Sequence, residues 1–206
     1  MKALALAGLF SLAAVMVLSI VEGAEKLRLA LHGLLASLAV AVYGMFLFFR
    51  PDFVFTAGWV GLVAAALVGQ LFGSKLLPNP HGLLAFLLTA SVVDLMSVAS
   101  GPTKALIEAA ESGATSLVHY LALLLPWHGS LVPALGVGDL FGLAVLLSSL
   151  RCQGFSRGLS FVFGLSGILA ALVVALIIGG VAGYPFLTAA AVAALVYKRW
   201  QSEKFA

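Results

Sequence analysis

Seven apolar runs, each close to the length of a membrane-crossing helix, leave this chain few folds to choose from. They cover about 3–21, 29–49, 53–73, 81–100, 131–150, 158–179 and 183–198, each bounded by charge, proline or glycine. A helix rises about 1.5 Å per residue, so roughly 20 apolar residues cross a hydrocarbon layer about 30 Å thick. The runs lack the period-two alternation of barrel strands, which need only about ten residues each. Helices, by contrast, satisfy their own backbone groups in lipid. The expected fold is therefore all-α: one polytopic transmembrane bundle of about seven spans over residues 1–206. Residues 1–80 supply N-terminal helices, and residues 81–206 supply the helices that carry chemistry, with a long connection at 101–130.

Charged residues make up 9% of the chain and hydrophobic ones 63%, whereas a soluble domain carries roughly 25% charge. So little polar surface cannot face water all round. The net charge of +3 comes from basic residues in short clusters between apolar runs, with no continuous stripe and no aromatic–basic alternation. That pattern sets topology and excludes nucleic acid as the expected partner. Lys2, Arg50 and Lys104 fall on one side of the predicted membrane. Lys26, Arg28, Lys75, Arg151, Arg157, Lys198, Arg199 and Lys204 fall on the other. Basic residues favour the cytoplasm, so the C-terminus is expected inside, with the N-terminus and the 101–130 connection outside. Residues 1–22 also fit a cleaved signal peptide, with Lys2 ahead of the apolar stretch and Glu22-Gly23-Ala24 behind it. The length of the stretch favours a retained span, and cleavage would strand Lys26 and Arg28 outside.

Within the 101–130 connection, Thr103 to Ser112 reads as a short helix with Lys104, Glu108 and Glu111 on a polar side. Ala114 to Leu125 is an apolar run too short to cross, and so an interfacial or re-entrant segment.

Two acidic residues break the apolar pattern: Asp94 in Val92-Val93-Asp94-Leu95-Met96 and Asp139 in Gly136-Val137-Gly138-Asp139-Leu140. A carboxyl near mid-helix costs roughly 2.5–3.5 kcal/mol to insert, which makes it a functional candidate by default. Asp94 lies six residues before Ser100 and Asp139 eight after Leu131, so continuous helices would hold them roughly 9 and 12 Å below one surface. Two carboxyls at one depth can share a proton, because like charges a few ångströms apart do not both ionise easily. One then takes a proton from water while the other, protonated, hydrogen-bonds an amide carbonyl. Gly136 and Gly138 remove side chains beside Asp139 and let a substrate backbone approach. The bland alternative is that each aspartate meets a polar group on a neighbouring helix, and that Gly138 and Gly142 form a helix-packing face.

Val93-Asp94-Leu95 followed by Gly101-Pro102-Thr103-Lys104-Ala105-Leu106, then Gly136-Val137-Gly138-Asp139, then Pro185-Phe186-Leu187, resembles the presenilin and signal-peptide-peptidase family. That family is marked by a Tyr-Asp span, a Gly-x-Gly-Asp span and a Pro-Ala-Leu motif, and order and spacing match here. Val93 stands where the family has tyrosine, Phe186 where it has alanine, and seven spans where it usually has nine. The resemblance covers about 85–150 and 180–190. It implies an intramembrane aspartyl endopeptidase with Asp94 and Asp139 catalytic, and with Gly136, Val137, Gly138, Pro185, Phe186 and Leu187 beside the substrate. It implies water as reactant, no metal or organic cofactor, and a transmembrane helix or signal-peptide remnant as substrate, locally unwound so that it can add as a strand. Membrane lipid is the surrounding partner, and accessory subunits are left open. For Pro185, a permitted first-turn proline is the structural alternative.

Other membrane-protease chemistries fit less well. Gly164-Leu165-Ser166-Gly167 reproduces a rhomboid-like motif, but no histidine follows His128 to activate Ser166, which reads as a packing residue. His-Glu-x-x-His is absent, and His32, His81, His119 and His128 lack ligand spacing. Cys152 is the only cysteine, which excludes an intrachain disulfide and a thiolate cluster. Prepilin peptidases share Gly-x-Gly-Asp but typically continue into a lysine-bearing motif, where this chain has Leu140-Phe141-Gly142. A proton-coupled transporter could use the same two aspartates as relays, although no inverted repeat supports it. A noncatalytic assembly protein would need neither carboxyl.

Overall fold

A computed structural model describes residues 2–27, 29–49, 54–101, 121–127, 130–178 and 182–204. Among these, seven α-helices fall on the seven apolar runs: α1 (Lys2–Glu25), α2 (Leu29–Phe49), α3 (Val54–Leu71), α4 (Pro80–Ser100), α5 (Val137–Cys152), α6 (Arg157–Ile178) and α7 (Tyr184–Lys204). The protein is thus mostly helical. Among the described residues, three stretches, Thr56–Leu76, Pro80–Ser100 and Arg157–Ala175, are long and apolar enough to cross a membrane.

The central helix is α5. Leu140, Ala144, Val145, Leu146, Leu147 and Leu150 are wholly buried, because α1, α3, α6 and α7 all pack around it. Small residues permit the close approach. A Cβ on Gly69 would stand 2.8 Å from the Phe141 carbonyl, and one on Gly164 would stand 2.8 Å from Leu143. α1 joins the core through Ala13, Ala14, Val17 and Val21. α4 lies at the periphery against α7 and leaves Val92, Val93, Leu95 and Met96 more than half exposed. Its start is set locally: Asn79 Oδ1 accepts from the Gly82 amide at 2.7 Å, with Pro80 in the first turn.

The run at 131–150 is not one helix. Ala122–Trp127 (β1) and Ser130–Gly136 (β2) form an antiparallel hairpin, with a bulge between Leu123 and Leu124, and α5 starts only at Val137. The helical depth counted from Leu131 therefore does not apply, since a strand advances about twice as far per residue as a helix. Pro126 and Pro133 supply a reason, because a proline inside a helix removes a hydrogen bond and clashes with the preceding turn. The expected short helix at 103–112 lies outside the described residues, and of the apolar run to Leu125 the part from Ala122 belongs to β1. After Leu71 the chain tightens no further but widens into a π-helical turn, Phe72–Leu76.

At the far end of α5 from Asp139, charges knit three helices together. Arg151 pairs with Glu25 at 3.0 Å and with Glu22 at 3.6 Å, and Arg157 reaches Glu22 at 3.3 Å. Ser149 donates to the Leu77 carbonyl and fixes the exit of the π-helical turn on α5.

Candidate active site

The Gly-x-Gly-Asp sequence produces a helix start. Gly136 is the extended N-cap residue, and Asp139 sits in the first turn of α5. There a carboxyl meets backbone N–H groups without helical partners and the positive end of the helix dipole. Asp139 turns back toward its own cap: a Cβ on Gly136 would stand 3.0 Å from Asp139 Oδ2, and the Gly136 backbone hydrogen-bonds the carboxyl. The lack of a side chain at Gly136 makes room for that return, in the manner of a capping box.

Asp94 reaches the same place from α4. The first residue of α7, Tyr184, donates its backbone amide to Asp94 Oδ2 at 3.1 Å. That amide is one of the partnerless donors at a helix N-terminus, so both carboxyls are held by helix starts. One residue earlier, Gly183 lies against the other aspartate, where any Cβ would overlap Asp139 Oδ1. Consecutive backbone positions, Gly183 and Tyr184, thus touch Asp139 and Asp94 in turn.

Tyr184 also spans the gap with its side chain. Its phenol donates to the Gly138 carbonyl at 3.0 Å, and its ring stands edge-on to Phe86, centroids 6.4 Å apart. The ring lies so near α5 that a Cβ on Gly142 would stand 2.8 Å from it. One turn deeper, Ser91 and Thr188 lock α4 to α7: their hydroxyl oxygens are 2.8 Å apart and both residues are buried. The Ser91 hydroxyl donates to the Leu87 carbonyl at 2.7 Å. This link sets the register that brings the Tyr184 amide to Asp94.

The remaining motif residues divide by position. Gly138 is exposed, with nothing within 4 Å of where its Cβ would be, whereas Gly142 packs against Tyr184 and Leu187. The two glycines therefore do not share one packing face. Val137 and Phe186 are partly buried, and the Phe186 carbonyl lies 3.0 Å from a Cβ position at Gly167 of α6. Pro185 occupies the first turn of α7, where proline removes no helical hydrogen bond. Leu187 is fully buried at the seam between α5 and α7.

On the outer side of α4, Val93, Met96, Ser97, Ser100 and Gly101 border an open, largely apolar depression. Gly183, Tyr184, Ser91 and Thr188 were not signalled by the sequence. Tyr184 sits next to Pro185 and could have been noticed, but the serine–threonine pair is 97 residues apart and carries no motif.

Ser166 corrects the packing expectation: it is exposed and bonds the Phe163 carbonyl of its own helix at 2.8 Å, while Gly164 and Gly167 make the close contacts. His32 is 3% exposed, with Nε2 3.0 Å from the Leu67 carbonyl. Among the described residues no group of three or more His, Cys, Asp or Glu stands together to hold a metal. Compared with protein-family models, curated proteins and solved structures, the chain matches none, so the chemistry of this site rests on its own residues.

Proposed function

We propose that this chain is an intramembrane aspartyl endopeptidase, resembling the presenilin and signal-peptide-peptidase family, in which Asp94 and Asp139 activate water to cleave transmembrane helices or signal-peptide remnants. One observation carries the reading: two carboxyls from separate helices meet at the adjacent backbone positions Gly183 and Tyr184. One carboxylate takes the proton of a water molecule as that water attacks the scissile carbonyl. The other, protonated, hydrogen-bonds the carbonyl oxygen where negative charge develops. The tetrahedral intermediate collapses with return of a proton to the leaving amine.

The bundle is read as seven-spanning, with its C-terminus in the cytoplasm. α5 has 16 residues, which gives about 24 Å of helix, short of the roughly 30 Å of hydrocarbon. Its crossing is then completed by the β1–β2 hairpin, whose non-helical backbone at membrane depth requires burial in protein or a water-lined cavity. Water at that level is what hydrolysis needs. The hairpin has only two strands among the described residues, so a strand edge next to Gly136 can pair with an unwound substrate segment.

The test is purified protein in detergent or liposomes against a panel of helical peptides, with Asp94→Asn and Asp139→Asn as controls. Cleavage abolished in both variants is the expected result. Cleavage retained in both, or solute-coupled proton flux in liposomes without any cleavage, would discard the protease in favour of a transporter.

A further inference from the structure

Four aromatic rings, each from a different element, form one cluster. Phe86 of α4 is at its centre, with ring centroids 5.3 Å from Phe72 of the π-helical turn, 6.2 Å from Phe141 of α5 and 6.4 Å from Tyr184 of α7. Phe72 and Phe141, 5.8 Å apart, close the group on the other side. Phe86 meets Phe141 at 77° and Tyr184 at 76°, so the positive edge of one ring faces the negative face of the other, a directional contact. All four are partly buried against the core. Phe72 has an anchor of its own, because Ser149 of α5 bonds the Leu77 carbonyl at the exit of its turn. A Cβ on the next residue, Gly73, would stand 2.5 Å from the Val145 carbonyl. The cluster thus has a fixed base on α5 and one member, Tyr184, that extends to the aspartates.

Phe86 stands away from the reacting groups, eight residues before Asp94 on α4, or about 12 Å along the helix. Tyr184, by contrast, needs outside support. It is the first residue of α7, so it lacks the preceding helical turn that normally excludes one χ1 rotamer. Its hydroxyl ends a long rigid arm, and a change of rotamer carries it away from the Gly138 carbonyl, now at 3.0 Å. Packing is what confines the arm: a Cβ on Gly142 would stand 2.8 Å from the ring, and Phe86 meets the ring edge-on. The amide of the same residue holds Asp94 at 3.1 Å. The rotamer of Tyr184 therefore sets where α4 and Asp94 stand relative to Gly138, the neighbour of Asp139.

We propose that Phe86 is a positioning residue for the aspartate pair, acting through the Tyr184 ring, whose rotamer it holds. The inference rests on the protease reading, and it gives the aromatic cluster the task of keeping the two carboxyls in register before substrate arrives.

A double-mutant cycle on the full chain in detergent, with steady-state cleavage of a helical reporter, tests it. Phe86→Leu keeps an apolar side chain without a ring and is expected to lower kcat roughly 2–10-fold at unchanged KM, as Tyr184→Phe does. Phe86→Met repeats the test with a longer apolar chain. In either background Tyr184→Phe should cost less than about twofold more, because the hydroxyl has already lost its place. Phe86→Tyr retains the ring and should retain kcat. An unchanged kcat in Phe86→Leu and Phe86→Met, or losses that multiply in the double variants, would overturn the proposal. The same cycle read by unfolding midpoints needs no cleavage: the drop caused by Tyr184→Phe should vanish once Phe86 is replaced, and equal drops in both backgrounds would overturn the proposal. Midpoints that fail to add, in a protein that cleaves no peptide, would support the hold of Phe86 on Tyr184 and discard the protease reading alone.

Discussion

The backbone amide of Tyr184 donates to Asp94 Oδ2 at 3.1 Å while the phenol of the same residue donates to the Gly138 carbonyl, next to Asp139, at 3.0 Å. One residue at the start of α7 thereby ties both aspartate-bearing helices, and its position fixes how far apart the carboxyls stand. The amide bond survives any substitution except proline, whereas the phenol bond can be removed singly. Tyr184→Phe keeps the ring against Phe86 and Gly142 and is expected to lower kcat roughly 2–10-fold with little change in KM, the range for one lost hydrogen bond. Steady-state cleavage of a helical reporter separates the two parameters. A fall in Tyr184→Ala with none in Tyr184→Phe would show that only the ring matters.

Asp94→Asn and Asp139→Asn should each reduce cleavage by about 10²–10⁴-fold, the usual contribution of a positioned acid or base. Folding should survive, since amide and carboxyl are nearly isosteric. Size-exclusion elution and thermal unfolding in detergent check that point alongside the activity assay.

Gly183 and Gly138 make a matched contrast. A methyl at Gly183 overlaps Asp139 Oδ1, whereas one at Gly138 meets nothing within 4 Å. Gly183→Ala should cost about 100-fold in kcat, as expected when reacting groups move by about 1 Å. Gly138→Ala should leave the fold intact and raise KM, because its open side faces the proposed substrate. Comparable losses of stability in both variants would contradict this assignment.

Removing the buried hydroxyl pair tests the register of α4 on α7. Ser91→Ala leaves Thr188 with one fewer partner and should destabilise the protein by about 1 kcal/mol. Leu187→Ala, at a fully buried position, should cost about 2–5 kcal/mol. Thermal midpoints in one detergent rank the two, and activity of Ser91→Ala should fall further than its midpoint predicts if the register holds Asp94 in place.

The proposed chemistry needs one proton on the Asp94–Asp139 pair. Cleavage should therefore pass through a maximum, declining in acid as the second carboxyl is protonated and in alkali as the last proton leaves. Rates measured from pH 4 to pH 9 against a fixed peptide give the profile. A flat profile across that range would be incompatible with a shared proton.

Much of this molecule is written locally. Helix positions follow from apolar runs of one length, and the start of α4 follows from Asn79 and Pro80, since capping is decided within four residues. Asp94 and Asp139 stood out because an acidic group in an apolar run is costly wherever the run packs. The hairpin was not read from the sequence: Leu131 to Leu135 runs on toward the apolar residues of α5, and a short apolar run does not by itself distinguish a strand from buried helix, although Pro126 and Pro133 speak against a helix. Nor were the contacts of Gly183 with Asp139 and Tyr184 with Asp94, 44 and 90 positions apart, nor the pairing of Ser91 with Thr188. Spacing along the chain determined which residues could be functional. Only the packing of α4, α5 and α7 decided which of them meet, because hydrogen bonds and close glycine contacts depend on ångström distances between segments that the sequence leaves far apart.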